Sequence, residues 1–411
     1  MKKEILAQVT VFGAGPAGIA AALQADALGM DTLLVERDLT VGGMSTSGLL
    51  NVFCGVADGF LFQQIRDELV HPDDDGHLLY DPEELSAFYY RKLLASGVRV
   101  LLGAKLCGAE TENGRILRAE AAAGAGTESI CSAAWIDATG DGLLASMAGV
   151  PYVLGDGDGA MQPMSMMALV GGVEGTPYMT FGMYPQLQEK MQALGKKLPG
   201  DAGHIIFIPC CRKGFAVINM TNCAHADGTD PWDCTRAQLV CREQLPEIIR
   251  FLRENVPGCE NCFLVHSAAY AGIRESRHFC GKGSLTEKDI LEGRVFQDWC
   301  VTGASMAMNI HSTKGAGLDP STLPTQTGYT VPYSALVPRN LSNLLLSGRM
   351  ISGTHLAHGS FRAMAICMGT GQAAGAAAAL AVKEKTDMDK LPVSQLQDTL
   401  LKFGMKDPGK N

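Results

Sequence analysis

The chain opens on an apolar run at Val9-Thr10-Val11-Phe12, passes through a glycine turn, and continues with helix-forming residues as far as Gly29. A second apolar run, Leu33-Leu34-Val35, follows. Residues 8–36 therefore predict a strand–helix–strand unit, with Gly29 just past the helix end. Asp81-Pro82-Glu83-Glu84 predicts a helix start, with Asp as the cap, Pro in the first turn and acids where the helix dipole favours them. This helix carries Leu85, Phe88, Tyr89 and Leu93 on one face and stops at Gly97. Strands are predicted at 98–102, 105–110, 116–121 and 132–137, with Asn113-Gly114 as a hairpin turn.

After about Leu154 the pattern changes. Gly155-Asp156-Gly157-Asp158-Gly159 reads as a linker, and beyond it strands at 205–208 and 215–220 alternate with helices. A helix is expected over 235–255 with a kink at Pro246, and Thr286-Glu287-Lys288-Asp289 predicts a capping box. Apolar strand character returns at Leu344, followed by a small-residue helix and an amphipathic terminal helix near 393–403. These shifts predict a first part of a cofactor domain over 1–154, a second domain over 155–335, a C-terminal return over 336–385 and a terminal helix over 386–411.

The glycine turn carries the clearest binding signal. Val11-Phe12-Gly13-Ala14-Gly15-Pro16-Ala17-Gly18 is Gly-x-Gly-x-x-Gly between strand and helix. Gly13 permits the tight turn, Gly15 lets a pyrophosphate approach the backbone, and Gly18 lets the helix pack closely on the sheet. Ala17 lies in the helix's first turn, whose unpaired N–H groups face the phosphates. Glu36 follows Gly18 by 18 residues, near the roughly 20-residue spacing of a ribose-binding carboxylate. The fingerprint alone does not separate NAD from FAD, and a second glycine triplet for a nicotinamide nucleotide is missing.

Composition narrows the partners. A net charge of −9 opposes a nucleic-acid partner, which needs a basic surface. Residues 363–382 carry no charge but are mostly Ala, Gly, Thr and Gln, so a buried helix is expected there and no membrane span. The start, Met1-Lys2-Lys3-Glu4, is too polar for an export segment. With 13 cysteines, that start predicts free thiols in a reducing, cytoplasmic setting. Cys259-x-x-Cys262 has no second pair at finger spacing, Cys210-Cys211 cannot easily bridge, and no His-Glu-x-x-His occurs. No metal site is expected.

Three further motifs select the dinucleotide. Glu36-Arg37 with Gly42-Gly43-Met44, Ile136-Asp137-Ala138-Thr139-Gly140-Asp141-Gly142 and Leu344-Leu345-Leu346-Ser347-Gly348-Arg349 stand in the order found in two-dinucleotide-binding-domain flavoproteins. Gly272-Ile273-Arg274-Glu275-Ser276-Arg277, Val331-Pro332-Tyr333 and the run from Gly348 to Gly375 are more specific. Together they resemble the bacterial FAD-dependent oxidoreductase family of the glutathione-reductase-like superfamily. The resemblance implies an α/β fold: a Rossmann-like FAD-binding domain of glutathione-reductase type with an inserted α+β substrate or cap domain. It implies non-covalent FAD held at Gly13, Gly15, Gly18, Glu36, Arg37, Gly42, Gly43, Met44, Asp141, Gly348 and Arg349, with the backbone near 104–106, including Leu106, at the adenine. Gly369, Gln372 and Ala373 are expected near the start of a helix aimed at the flavin, where its dipole would stabilise negative charge.

His355, His358 and Arg362 are the candidate catalytic residues, with the histidines as acid or base and Arg362 as an anchor. His358-Gly359-Ser360-Phe361-Arg362 resembles the dicarboxylate-binding segment of succinate dehydrogenase and fumarate reductase flavoproteins, although Arg349 stands where those proteins place a glutamate. His358 alternatively only hydrogen-bonds a backbone carbonyl. Arg274, Glu275 and Arg277 form either an anion clamp or, as favoured here, an ion-pair network between domains. His311, in a polar loop, is expected to be solvated, with a proton shuttle as the alternative. The expected function is hydride transfer between flavin N5 and a small polar or anionic metabolite. The alternatives are an electron-transfer subunit with a redox partner protein, and a binding or sensor protein with structural FAD.

Overall fold

The structure, a computed structural model, describes residues 4–175, 178–180, 183–324 and 328–410; Met1, Lys2 and Lys3 of the polar start lie outside them. Its principal sheet has seven strands. Five run parallel in the spatial order Arg99–Leu101, Thr32–Val35, Ile5–Phe12, Gly126–Asp137, Leu344–Leu346. The register places Phe12 beside Val35 and Asp137, and Asp137 beside Leu346. The carboxyl ends of these strands therefore form one edge, where open parallel sheets bind ligands. The glycine turn after Phe12, Glu36 after Val35, the Ala138–Asp141 turn after Asp137 and Gly348-Arg349 after Leu346 all begin within a few residues of that edge.

Gly126–Asp137 is long because it serves two layers. Residues 130–137 pair in parallel with the first strand, while residues 126–130 pair antiparallel with Arg115–Ala123, which in turn pairs with Ala104–Glu112. The turn at Asn113 (φ 50°) and Gly114 (φ 74°) is left-handed at both positions, as the Asn-Gly pair requires.

Helix Pro16–Ala27 and helix Met364–Glu384 pack against each other on one face of the sheet, and the small residues explain how closely they approach. A Cβ on Gly371 would lie 2.0 Å from the carbonyl oxygen of Ala17, and one on Gly375 would lie 2.2 Å from that of Ala21. Gly369, Gln372 and Ala373 are therefore packing residues. The expectation that they open the helix is corrected, because the helix begins at Met364 with Ala363 as its cap. Gln372 instead accepts from the Phe60 N–H (3.1 Å) and donates to the Phe403 carbonyl (2.8 Å), while Gly369 abuts Val301. Among the described residues this helix alone is long and apolar enough to cross a membrane, and 94% of its apolar window is buried in the fold.

A second, four-stranded antiparallel sheet has the order Phe207–Pro209, Phe215–Ile218, Ala168–Gly171, Phe263–Ser267. Helix Pro231–Asn255 packs with it; Asp230 caps its start by accepting from Trp232 N–H (2.7 Å) and Asp233 N–H (3.0 Å). The helix starts four residues before the expected position and continues through Pro246. Met166, Val170, Phe207, Ile218, Cys241 and Leu252 belong to a separate apolar cluster, to which the N-terminal part contributes Leu49, Val52 and Leu79. From Phe279 onward the chain packs into the larger cluster beneath the principal sheet, including Trp299, Val301, Tyr329 and Val331 of the segment expected in the second domain. The capping box at Thr286 and Asp289 forms as read.

Replacing Gly371 by Val should destabilise the protein by about 1–3 kcal/mol through overpacking. The expected readouts are a lower Tm and a smaller fraction of flavin retained on gel filtration; a variant that melts and retains flavin like the wild type would contradict the packing account.

Candidate functional site

A cavity of about 710 Å³ lies at the carboxyl edge of the parallel strands and reaches under the second sheet. One wall is the glycine turn. Gly13 takes φ +96°, leaves the first strand sharply, and donates its N–H to the Val35 carbonyl (2.8 Å). Gly15 has open space where a side chain would project, so its backbone faces the cavity bare. Gly18 lines nothing: a Cβ there would lie 1.7 Å from the Gly13 carbonyl oxygen, so it seats the helix on the turn as expected. Gly42 also lies behind the wall, its N–H donating to the Ala14 carbonyl (2.7 Å) and fixing the adjacent loop, whereas Gly43 and Met44 reach the cavity.

Glu36 lines the cavity and is braced by the Ala14 N–H on one oxygen and the Asp38 N–H (3.1 Å) on the other. Arg37 and Leu106 line the same end, and Ala17 also faces the cavity. On the far side of the glycine turn, buried Asp137 accepts from the Thr139 N–H (3.0 Å), the Thr139 hydroxyl (2.7 Å) and the Ala145 N–H (2.8 Å). These bonds shape the Ala138–Asp141 turn. Asp141 then receives Arg349 (2.7 Å) and the Ser276 hydroxyl (2.7 Å), while Arg277 donates to its carbonyl (3.0 Å). Thr370 on the long helix accepts from the Gly348 N–H (2.9 Å), which ties the return strand to the same edge.

The bare Gly15 backbone, the helix N-terminus behind it and the Glu36 carboxylate fit a dinucleotide, with room for its pyrophosphate at the turn. Gly369, Gln372 and Ala373 do not line this cavity. The long helix presents Ala363, Met364 and Cys367 instead, one to two turns nearer its true start.

The opposite end of the cavity is lined by Arg274, Arg362, His311, Asn219, Asn309 and Ser165. Arg274 donates to Ser165 Oγ (2.7 Å) and the Pro163 carbonyl; Arg362 donates to the Asn309 carbonyl (2.7 Å) and has no hydrogen-bond partner at its buried Nε. Among the described residues no carboxylate forms a salt bridge with either. Burial, and then the charge of Arg362, push Arg274 below its ordinary value, to about 9. Burial and both guanidiniums hold His311 well below the usual imidazole range. His204, whose ring centroid lies 5.9 Å from that of His311, is pushed down to about 3, chiefly by burial. Both rings are neutral at pH 7. The expectation of a solvated His311 is corrected: the loop folds inward and the residue is buried.

His355 and His358 do not line the cavity, which corrects their assignment as catalytic acid and base. They surround Glu275, which is buried and pairs with neither Arg274 nor Arg277. Its Oε1 accepts from His355 Nδ1 (2.6 Å) and His278 Nε2 (2.8 Å), with His358 Nδ1 at 3.9 Å. Burial opposes ionisation of Glu275, but these histidines more than offset it and hold the carboxyl well below its ordinary range. Burial likewise opposes the charge on His355, and the bond to Glu275 overrides it and raises that ring. His358 is held well below the usual range by burial and then by His278. Arg362 alone of the three candidates faces the cavity. His204, Asn219 and Asn309 had no signal in the sequence beyond residue type, since each is isolated in its segment.

A parallel sheet with a bare glycine turn facing a long cavity defines the class, a dinucleotide-binding protein of the Rossmann type. Residues 8–400 match the model for FAD dependent oxidoreductases, and the chain belongs to that family, with FAD as its cofactor. Among curated proteins it is similar to the dihydrolipoyl dehydrogenase of Haemophilus influenzae (40% identity over 83 residues, 20% of this chain and 16% of that one). It is also similar to the same enzyme of Vibrio cholerae (54% over 54 residues, 13% and 10%). The matched segments thus span a sixth or less of those relatives' lengths. Among solved structures, the geranylgeranyl bacteriochlorophyll reductase-like protein of Thermoplasma acidophilum superposes with TM-score 0.55 at 14% identity, covering 97% of this chain and 83% of that one. The flavin-dependent brominase Bmp2 gives 0.52 at 13%, covering 96% and 83%. These likenesses establish the fold.

Glu36→Ala should weaken FAD retention by roughly 10- to 100-fold, the value of a charge-assisted hydrogen bond of about 1.5–3 kcal/mol. Equilibrium titration of apoprotein with FAD measures it, and unchanged affinity would remove Glu36 from the site.

Proposed function

We propose that this protein transfers a hydride between flavin N5 and a small anionic metabolite held at the inner end of the cavity. The observation that carries this reading is the pair Arg274 and Arg362, two guanidiniums on one cavity with which, among the described residues, no carboxylate forms a salt bridge, although Glu275 acts on Arg362 from farther off. Partly buried positive charge of this kind is costly until an anion arrives, and guanidinium–carboxylate pairing supplies both energy and orientation.

Bound FAD supplies the two-electron chemistry. The chain's own contribution is placement and proton handling. Arg362 and Arg274 fix the anionic group, Asn219 and Asn309 supply polar edges beside it, and the second-sheet side contributes the apolar wall at Ile206 and Ile208. When an alcohol or amine carbon gives up hydride, its heteroatom must lose a proton. His311 is the neutral ring on the cavity wall able to take it, and an anion neutralising the two arginines would raise its basicity.

In this reading the four-stranded sheet and its helix, about residues 160–268, act as a substrate cap on the FAD-binding part. The antiparallel layer 104–130 and the local similarity to dihydrolipoyl dehydrogenases support the glutathione-reductase branch of the fold. Thirteen free thiols support a reducing, cytoplasmic location.

The test is anaerobic. Photoreduced protein is exposed to small oxidised metabolites, and oxidised protein to their reduced partners, with the flavin absorbance followed. Carboxylate-bearing compounds should change it. Arg362→Leu should keep FAD bound but raise the apparent KM by roughly 30-fold or more, as expected when one member of a buried charge pair worth about 2–5 kcal/mol is lost. Turnover confined to uncharged compounds, with Arg274 and Arg362 variants unaffected, would overturn the reading.

A further inference from the structure

The charged cluster behind the cavity is unused by the hydride chemistry. Glu275 and His278 stand three residues apart on the segment that crosses back from the second sheet, and His278 lies in strand Arg277–Phe279. His355 and His358 stand three apart in the first turns of helix His355–Phe361, a spacing that puts both on one helix face. The fold brings the two pairs together: Glu275 Oε1 lies 2.8 Å from His278 Nε2 and 3.9 Å from His358 Nδ1, the three residues each offer a ligand atom within 4.8 Å of the others, and all three are buried.

We propose that Glu275, His278 and His358 form a binding site for a divalent cation of the zinc class, with His355 closing its solvent side.

Four observations converge on it. His358 Nδ1 is buried without a hydrogen-bond partner and is aimed at Glu275, as a ligand nitrogen waiting for an ion would be. The Glu275 carboxylate is already divided between two tasks. Its Oε2 receives the Gln162 N–H (3.1 Å) and side-chain amide (3.2 Å), which orients the group and leaves Oε1 turned to the histidines. The donor set is two imidazoles and a carboxylate, suited to zinc or to a first-row ion of similar hardness and unlike the thiolate sets that select copper(I). The separations of 2.8 Å and 3.9 Å from Oε1 bracket the roughly 3.4 Å edge of a tetrahedron with bonds of about 2.1 Å, so shifts of about half an ångström bring these two edges to the tetrahedral value.

Entry is from the His355 side. Its side chain is 18% exposed, against 6% for His278 and 1% for His358, and its Nδ1 lies 2.6 Å from Glu275 Oε1. On ion entry the proton between His278 Nε2 and Glu275 Oε1 gives way to the ion as that nitrogen's lone pair becomes a ligand, leaving to solvent if the ring was charged or moving to Nδ1 if it was neutral. The consequence reaches the cavity. Arg274 adjoins Glu275 in the chain, and Arg362 lies one helical turn after His358. A bound cation would therefore lock together the two segments that carry the anion-binding arginines.

The test uses the FAD-loaded protein, stripped with a chelator and then equilibrated with zinc(II) or cobalt(II). One equivalent per chain should survive gel filtration, measured by elemental analysis, and should raise Tm. The cobalt form should show ligand-field bands at longer wavelength than the flavin, and X-ray absorption should show nitrogen and oxygen neighbours with imidazole scattering. His278→Ala and His358→Ala should each lose the metal while retaining FAD. Failure of the wild-type protein to hold either ion overturns the proposal without reference to any variant. Retention by both variants, or sulfur neighbours reporting capture by the thiols, overturns it equally.

Discussion

The close approach of two helices governs this fold. Helix Pro16–Ala27 and helix Met364–Glu384 meet with backbone carbonyls of one against glycine Cα atoms of the other, at Gly371 on Ala17 and Gly375 on Ala21. No larger side chain fits, so the chain accepts the helix-propensity cost of glycine, about 0.5–1 kcal/mol each, for the contact. Both ends of the cofactor cleft inherit their positions from it. The first helix begins at the glycine turn, and the second begins one residue after Arg362 and Ala363. The helix–helix contact thus sets where the phosphate-binding backbone stands relative to the guanidinium.

The molecule is acidic overall, with a net charge of −9, yet the inner end of its cavity is lined by two arginines and the neutral ring of His311. That contrast focuses attraction where it is useful. A small anion is repelled weakly by the surface and drawn strongly by the cavity, where low polarisability lengthens the reach of each charge. Arg349 differs from the other two arginines because Asp141 already answers it, so it holds the return strand to the second motif.

Local signals in the sequence matched local structure. The glycine turn, the Asp81 and Thr286 caps, the Asn113-Gly114 hairpin and the strand ending at Asp137 each depend on a few adjacent residues, and each formed where read. What went wrong depended on distant partners. Gly369–Gly375 looked like a ligand-facing helix start because small residues serve both close ligands and close helices; only Ala17 and Ala21, some 350 residues away, decide between them. His355 and His358 adjoin the cofactor motifs in sequence, but the helix turns them toward Glu275, leaving Arg362 on the cavity. His311 and His204 were illegible for the same reason. A loop histidine and a strand-flanking histidine become one buried pair only after the second sheet is in place.

The central strand Gly126–Asp137 also fixes the timetable of assembly. Its parallel neighbour on one side, Leu344–Leu346, and the Arg349 that meets Asp141 are supplied 208 residues later in the chain. Closing so long a loop costs little more free energy than a short one but postpones the pairing in time. Until the segment 344–349 is in place the sheet edge beside Asp137 has no partner, and the part of the flavin cradle that Gly348 and Arg349 supply is missing. A chain interrupted before Leu344 would be left with an open sheet edge beside Asp137, ready to pair with another copy.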